Sequence, residues 1–332
     1  MAKIVLGLGT SHTPMLLASD ETLPRFLDTD QNIRHRDKEG RPATYAELLE
    51  KADPRMAAMV TPAKLVARQN MARAAATQLS KTLAAAKLEA LIVLGDDQDE
   101  AYLEDCRPTF AIYCGDTILN STTQHEAYYH RYPEWYIKNR QAFFEDTTPR
   151  AYPVDAKLAL HLIDWLMQHD FDLASSKCMR KGEGEGHAVA YVHRRVMDEG
   201  QPVPVVPVFI NTYFPPNQPW PRRCYQLGQA ICKAVEAFPG DTRVGIIASG
   251  GLSHFVVDED FDRAILKASV EKDAKFLQTL PRNKLHSGNS EILNWVGVAG
   301  AVEHLDLNWF EYVPGYRTPA GTGTGLSFAS WG

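Results

Sequence analysis

The chain has 332 residues, 45% of them hydrophobic and 23% charged, the balance of an ordinary folded domain. A formal net charge of −6 argues against a nucleic-acid partner, because phosphate binding needs a basic face. No apolar run reaches the roughly 18 residues of a membrane span, and the short start Ile4–Leu6 does not read as a secretion signal, so a cytoplasmic protein is expected.

The elements, in chain order, begin with a strand over Lys3–Leu8. A charged segment, Ser19–Thr61, then departs from any regular rhythm, broken by Pro24, Gly40, Pro42 and Pro54, with a short helix over Tyr45–Lys51. Helix-period residues resume at Pro62–Lys87, followed by strands at Ala90–Leu94 and Thr109–Tyr113. Asn120–Tyr152 is irregular and rich in rings, among them Tyr128, Tyr129, His130, Tyr132, Trp135 and Tyr136. Helices over Val154–Gln168 and His187–Asp198 flank a strand at Phe171–Ala174. The remainder alternates: strand Val203–Ile210, helix Arg222–Ala237, strand Arg243–Ala248, helices Phe261–Leu280 and Ser290–Leu305, strand Trp309–Val313. Such alternation predicts one α/β domain over residues 1–332, a central mixed sheet with helices on both faces. Residues 19–61 form an insertion after the first strand, expected to be a lid or substrate wall.

Four polar clusters stand out: Gly9–His12, Gly95–Gln98, Gly184–His187 and Ser249–His254, three of them directly after apolar runs. Ligands of open α/β sheets bind beyond the carboxyl ends of the strands, so His12, the Asp96-Asp97-Gln98 triplet and His254 are candidates for one site. The paired glycines Gly250 and Gly251 allow a tight turn that aims His254 into that crevice. His187 opens a helix, where the N-terminal field favours a bound anion. The five cysteines (Cys106, Cys114, Cys178, Cys224, Cys232) include no CxxC pair, which fits reduced thiols rather than a disulfide framework or zinc ribbon. Histidines and carboxylates without a Ser-His-Asp pattern, phosphate loop or dinucleotide motif point to metal chemistry of the two-His, one-carboxylate type.

The chain resembles the class III extradiol ring-cleaving dioxygenases, the superfamily of the protocatechuate 4,5-dioxygenase large subunit and the gallate and methylgallate dioxygenases. The resemblance rests on Gly9–Pro14, Asp96–Tyr102, Gly186-His187, Val203–Asn211, Ser249–His254 and Glu291–Trp295, in the same order and spacing. It implies Fe(II) as cofactor, a catecholic aromatic acid and dioxygen as substrates, and a homodimer. Residue by residue it implies His12 and Glu291 as iron ligands, His254 as the acid–base group and His187 as a second catalytic histidine. The remaining ligand position, a histidine in the family, is Gln98 here. Three readings follow: Gln98 ligates through its amide oxygen, Asp96 or Asp97 takes the place, or the metal is absent. The last leaves a ligand-binding or regulatory homologue, and metal-assisted hydrolase or lyase chemistry is a further alternative. Arg25, Arg34 and Arg41 in the insertion are the candidates to hold a substrate carboxylate.

Overall fold

The computed structural model describes residues 1–122, 132–180 and 183–332. Tyr128, Tyr129 and His130 of the aromatic stretch, and Lys181-Gly182 ahead of the third cluster, lie outside the described residues.

The strands are β1 Lys3–Thr10, β2 His35–Arg36, β3 Pro42–Ala43, β4 Ala90–Asp96, β5 Phe110–Tyr113, β6 Thr117–Asn120, β7 Arg150–Pro153, β8 Ala174–Ser176, β9 Val205–Ile210, β10 Arg243–Ser249, β11 His254–Val256, β12 Leu307–Tyr316 and β13 Thr322–Trp331. The main sheet runs β11-β13-β1-β10-β4-β9-β5-β8, with β12 also paired to β13. Its heart, β1-β10-β4-β9, is parallel. β13 runs antiparallel to β1 and β5 antiparallel to β9, so the sheet is mixed, as expected. Every residue of β4 and β9 is buried, which explains their unbroken apolar sequences: helices cover both faces. On β4, Ile92 and Leu94 enter the core shared with the helices Ala156–Met167, Pro221–Ala237 and Ile292–Ala301. Leu91 and Val93 point the other way, toward the helix Pro62–Ala85. Among the described residues no helix is long and apolar enough to cross a membrane.

The parallel register sets the carboxyl ends side by side: Thr10 faces Ser249, Ser249 faces Gly95, and Asp96 faces Ile210. β1, β4 and β10 each run one or two residues beyond the apolar stretch that predicts them. Their last polar residues stay in the ladder, and the site residues follow immediately.

Several elements differ from expectation, among them the unpredicted strands β6, β7 and β11 and the helix Glu134–Gln141, and three of the differences have a clear physical reason. Strand β13, buried along its whole length, occupies Thr-Gly-Thr-Gly-Leu-Ser-Phe-Ala-Ser-Trp, whose glycines read as a breaker. Those glycines are needed because the backbone of β12 passes so close that a Cβ on Gly323 would stand 2.0 Å from the Gly315 carbonyl. The predicted strand at Phe171 is displaced to β8, because the Phe171 amide donates to Leu166 O and finishes the preceding helix. The helix predicted over Phe261–Leu280 divides at Lys272, which takes φ of 55°, into Glu259–Glu271 and Ala274–Gln278.

Two helices behind the sheet position the carboxylate of Glu291. Pro221–Ala237 and Ile292–Ala301 cross where a Cβ on Gly228 would lie 1.9 Å from the Gly297 carbonyl. Glu291 closes the short 3-10 turn Ser287–Glu291 that leads into the second of these helices, so its place is set by this contact.

Candidate active site

Beyond the strand ends lies a cavity of about 290 Å³, and His12, Gln98, His187, His254 and Glu291 all line it. All five predicted side chains therefore meet, although four separate stretches of chain supply the histidines and carboxylates. Tyr132, Tyr136, Tyr213, Phe214 and Phe255 form the aromatic part of the wall, with Tyr132 and Tyr136 stacked at 4.4 Å between centroids.

Each histidine has its Nδ1 occupied. His12 Nδ1 lies 2.9 Å from Ser249 Oγ, and that hydroxyl donates its one proton to Ala188 O at 2.8 Å. Ser249 must therefore accept from His12, which puts the imidazole proton on Nδ1 and leaves the Nε2 lone pair facing the cavity. His254 Nδ1 donates to Leu252 O at 2.8 Å, with the same consequence. His187 Nδ1 donates to Glu100, 2.9 and 2.8 Å from its two oxygens, and the His187 amide donates to Glu100 Oε1 at 2.9 Å. Three Nε2 atoms thus converge as bases.

The carboxylates stand among them. Glu291 Oε2 is 3.4 Å from His12 Nε2 and 3.7 Å from His254 Nε2, and it accepts from the Gly251 amide at 2.7 Å. Burial would raise the Glu291 pKa, but the charge of His254 and His12 when they carry a proton on Nε2, together with the Gly251 amide, outweighs it and holds the group at about 2. Asp96 Oδ2 lies 3.8 Å from His187 Nε2, and here burial, reinforced by the charge of Glu291, raises the carboxyl's pKa. Burial works against a charge on His187 too, yet the adjacent Glu100 carries its pKa upward. Asp97 plays another part: it accepts from the amides of Ala101 and Tyr102 at 2.7 and 3.2 Å and fastens the turn after β4.

Gln98 presents its amide nitrogen, not its oxygen. That nitrogen donates to Asp96 Oδ2 at 3.0 Å and lies 3.4 Å from His187 Nε2. Turning the amide over would set its oxygen against a carboxylate and an imidazole lone pair.

His254 owes its place to a web behind it. Asp262, fully buried, accepts from the Ser253 amide (2.9 Å), Ser253 Oγ (2.6 Å) and Tyr312 OH (2.7 Å). Gly251 leaves room for the ring, since a Cβ there would stand 2.4 Å from His254 Cε1.

The insertion reaches the cavity through Thr29 and Ile33. Between them in sequence, Asp30 takes a buried bidentate pair from Arg317, both contacts 2.7 Å, and accepts from Thr322 Oγ1. None of Arg25, Arg34 and Arg41 lines the cavity; Arg25 stacks on Trp135 and Arg41 pairs with Asp37 and Glu39 at the surface. Among the described residues the arginines that line it are Arg140 and Arg317, which sequence reasoning missed, as it missed Glu100 and Asp262. A roomier cleft of about 640 Å³ lies between Asp37–Met59 and the Val256–Tyr316 side of the sheet. Its described lining mixes acidic and basic side chains without a histidine, unlike that of the smaller cavity.

Imidazole and carboxylate groups thus gather at the carboxyl end of a parallel core, facing an aromatic wall in an α/β protein. Residues 54–294 match the family model described as the catalytic LigB subunit of aromatic ring-opening dioxygenase, and the chain belongs to that family. It is 29% identical over 192 residues to a gallate dioxygenase of Pseudomonas putida, covering 54% of this chain and 55% of the relative. It is 35% identical over 101 residues to a 2,3-dihydroxyphenylpropionate/2,3-dihydroxicinnamic acid 1,2-dioxygenase of Comamonas testosteroni, covering 30% of each chain. A protein of the same name from Burkholderia vietnamiensis is 38% identical over 102 residues, 31% of this chain and 30% of the relative. The similarity thus spans about half the length of the first relative and under a third of the others.

Proposed function

We propose that this chain is a metal-dependent extradiol dioxygenase, with Fe(II) as its metal, that opens the ring of a catecholic aromatic acid and places both atoms of dioxygen in the product. The observation that carries this reading is the convergence of three imidazole Nε2 atoms on one aromatic-walled cavity beside Glu291. Family membership and the names of the relatives, all dioxygenases of hydroxylated aromatic acids, support it.

The donors fit a ferrous ion. His12 Nε2 and Asp96 Oδ1 are buried without a hydrogen-bond partner, an arrangement that is unfavourable unless a cation takes their electron pairs. Imidazole with carboxylate is the donor chemistry of non-haem iron. His12 and Glu291 of the sequence-derived set would hold it, whereas Gln98, the third member, turns its amide nitrogen to the site. Fe(II) would supply Lewis acidity and an electron path between the ring and dioxygen.

The chain's own side chains do the rest. His254 Nε2 accepts the proton of a substrate hydroxyl, and ionised Glu291, 3.7 Å away, stabilises the imidazolium that results. His187, which the resemblance casts as a second catalytic histidine, is held by Glu100 at Nδ1 and turns its Nε2 to the same space. The Tyr132–Tyr136 stack fixes the plane of an aromatic ring, and Arg140 and Arg317, the latter paired with the buried Asp30, put guanidinium N–H groups in the wall where a substrate carboxylate can accept. The insertion, tied down through Asp30, acts as a wall that keeps bulk water out. The homodimer implied by the resemblance belongs to the same reading and is measured by sedimentation.

Loss of aromatic absorbance in air, against an anaerobic control, tests the activity with protocatechuate, gallate and methylgallate. His254→Ala retains metal and loses about 10²–10⁴ in turnover, the range for a general base. His12→Ala loses the metal; full metal content in that variant defeats the ligand assignment. Gln98 favours one competing reading, a metal-free ligand-binding homologue, because its two amide hydrogens already reach Asp96 and His187. Tight binding of a catechol by iron-free protein that consumes no oxygen would support that alternative.

A further inference from the structure

Resting on the metal-dependent reading above, we propose that Asp96 and His187, and not Gln98, complete the metal site with His12, and that Gln98 is a displaceable cap on that pair. The ligand place that the resemblance assigns to position 98 is then filled by two neighbours rather than by the glutamine itself.

Four observations converge. One donor atom from each of His12, Asp96 and His187 lies within 4.8 Å of the others, and all three residues are buried. Two atoms of these residues, His12 Nε2 and Asp96 Oδ1, have no hydrogen-bond partner, while Asp96 Oδ2 accepts only from Gln98 among the described residues. His187 carries a carboxylate, Glu100, on Nδ1, the outer support that metal-bound histidines use to fix the ring and strengthen the Nε2 donor. Gln98, finally, aims at this group the one end of its side chain that has no lone pair to give. Its amide hydrogens approach Asp96 Oδ2 and His187 Nε2 together, which places a partial positive charge where a cation would sit.

The distances suit the assignment. Metal–nitrogen bonds of about 2.1 Å put adjacent donors roughly 3.0–3.4 Å apart. His187 Nε2 and Asp96 Oδ2 are already 3.8 Å apart, so shifts of about an ångström or less close this pair. Gln98 is only partly buried and lines the cavity, so its side chain has space to swing aside. Asp97 is not available, because its two oxygens hold the amides of Ala101 and Tyr102.

The test uses Co(II) as the probe, added anaerobically to the purified full chain and followed by calorimetry and visible absorption. Gln98→Ala is expected to bind Co(II) within about threefold of the unaltered chain, whereas Asp96→Asn and His187→Asn each lose about 100-fold or more. Gln98→Ala weakened as much as His12→Ala, or either other variant within threefold of the unaltered chain, overturns the proposal. Proton NMR of the unaltered Co(II) form needs no variant: two strongly shifted, exchangeable imidazole N–H signals are expected, one each from His12 and His187, and a single signal overturns the proposal. If the unaltered chain takes up no Co(II), the metal-dependent reading itself fails along with this inference. If it binds one ion and Asp96→Asn and His187→Asn have no effect, only the inference fails.

Discussion

Replacing Asp262 by alanine tests whether His254 is held in place from behind. The carboxylate takes three hydrogen bonds, from the Ser253 amide, Ser253 Oγ and Tyr312 OH, at 2.9, 2.6 and 2.7 Å in a site closed to solvent. Truncation leaves three buried donors to find new partners, each costing about 1–3 kcal/mol when it fails. Ser253 Oγ rotates onto another acceptor most easily, so a loss of about 3–6 kcal/mol is expected. For a chain of this length that is a fall in Tm of roughly 4–9 °C. Ser253 is the residue before His254, so turnover should fall with stability while metal content holds. Asp262→Asn, which keeps the shape and one of the two acceptor oxygens, should recover part of both. The pH dependence has a definite sign. Burial lifts Asp262 from 3.8 to about 7 against the lowering effect of its donors. The folded chain therefore holds this proton more tightly than the unfolded chain. Its contribution is complete below about pH 3.8 and is lost as pH rises to about 7, so Asp262→Asn should lessen the fall in stability across that window. Thermal melts by circular dichroism, paired with turnover, read all of this. A Tm within about 1 °C of the original together with unchanged turnover in Asp262→Ala would refute the reasoning.

Glu100→Gln keeps an acceptor for the His187 amide but no longer presents a carboxylate to Nδ1, so metal affinity should drop about 10-fold, as for other outer-shell partners. Calorimetric titration measures it, and unchanged affinity would remove His187 from the ligand set. Arg317→Ala strands the buried Asp30 carboxylate and should destabilise the fold by about 3–5 kcal/mol. The same change should raise KM for an aromatic acid more than it lowers kcat, a split that steady-state kinetics shows directly. Deleting the insertion, residues 19–61, should weaken substrate binding more than metal binding; an unchanged KM would exclude its role as a substrate wall.

What could be read from the sequence was whatever depends on neighbours along the chain. Continuous apolar runs gave β4, β9 and β10, because strands covered on both faces need no polar alternation. His12 and His254 were legible as strand-end residues, and the register of β1, β10 and β4 does bring those ends together. What escaped depends on distance in sequence. Asp30 and Arg317 are 287 positions apart, and nothing near either one marks a pair. Glu100 sits two residues past Gln98 in an unremarkable acidic stretch, and only the packing of the His187 helix against it reveals its task. β13 was hidden by its own glycines, which are there because β12 and the side chain of Asp262 come so close. The arginines of the insertion attracted notice through their charge, yet charge along a surface loop carries no information about which way the loop faces.

The most direct test of the central claim is isotope incorporation. The chain would be loaded anaerobically with Fe(II), given a catecholic acid and exposed to ¹⁸O-labelled dioxygen, with the product examined by mass spectrometry. A ring-opened product carrying both labelled atoms is the predicted result. Intact aromatic acid, or a product whose new oxygen comes from water, would contradict the account.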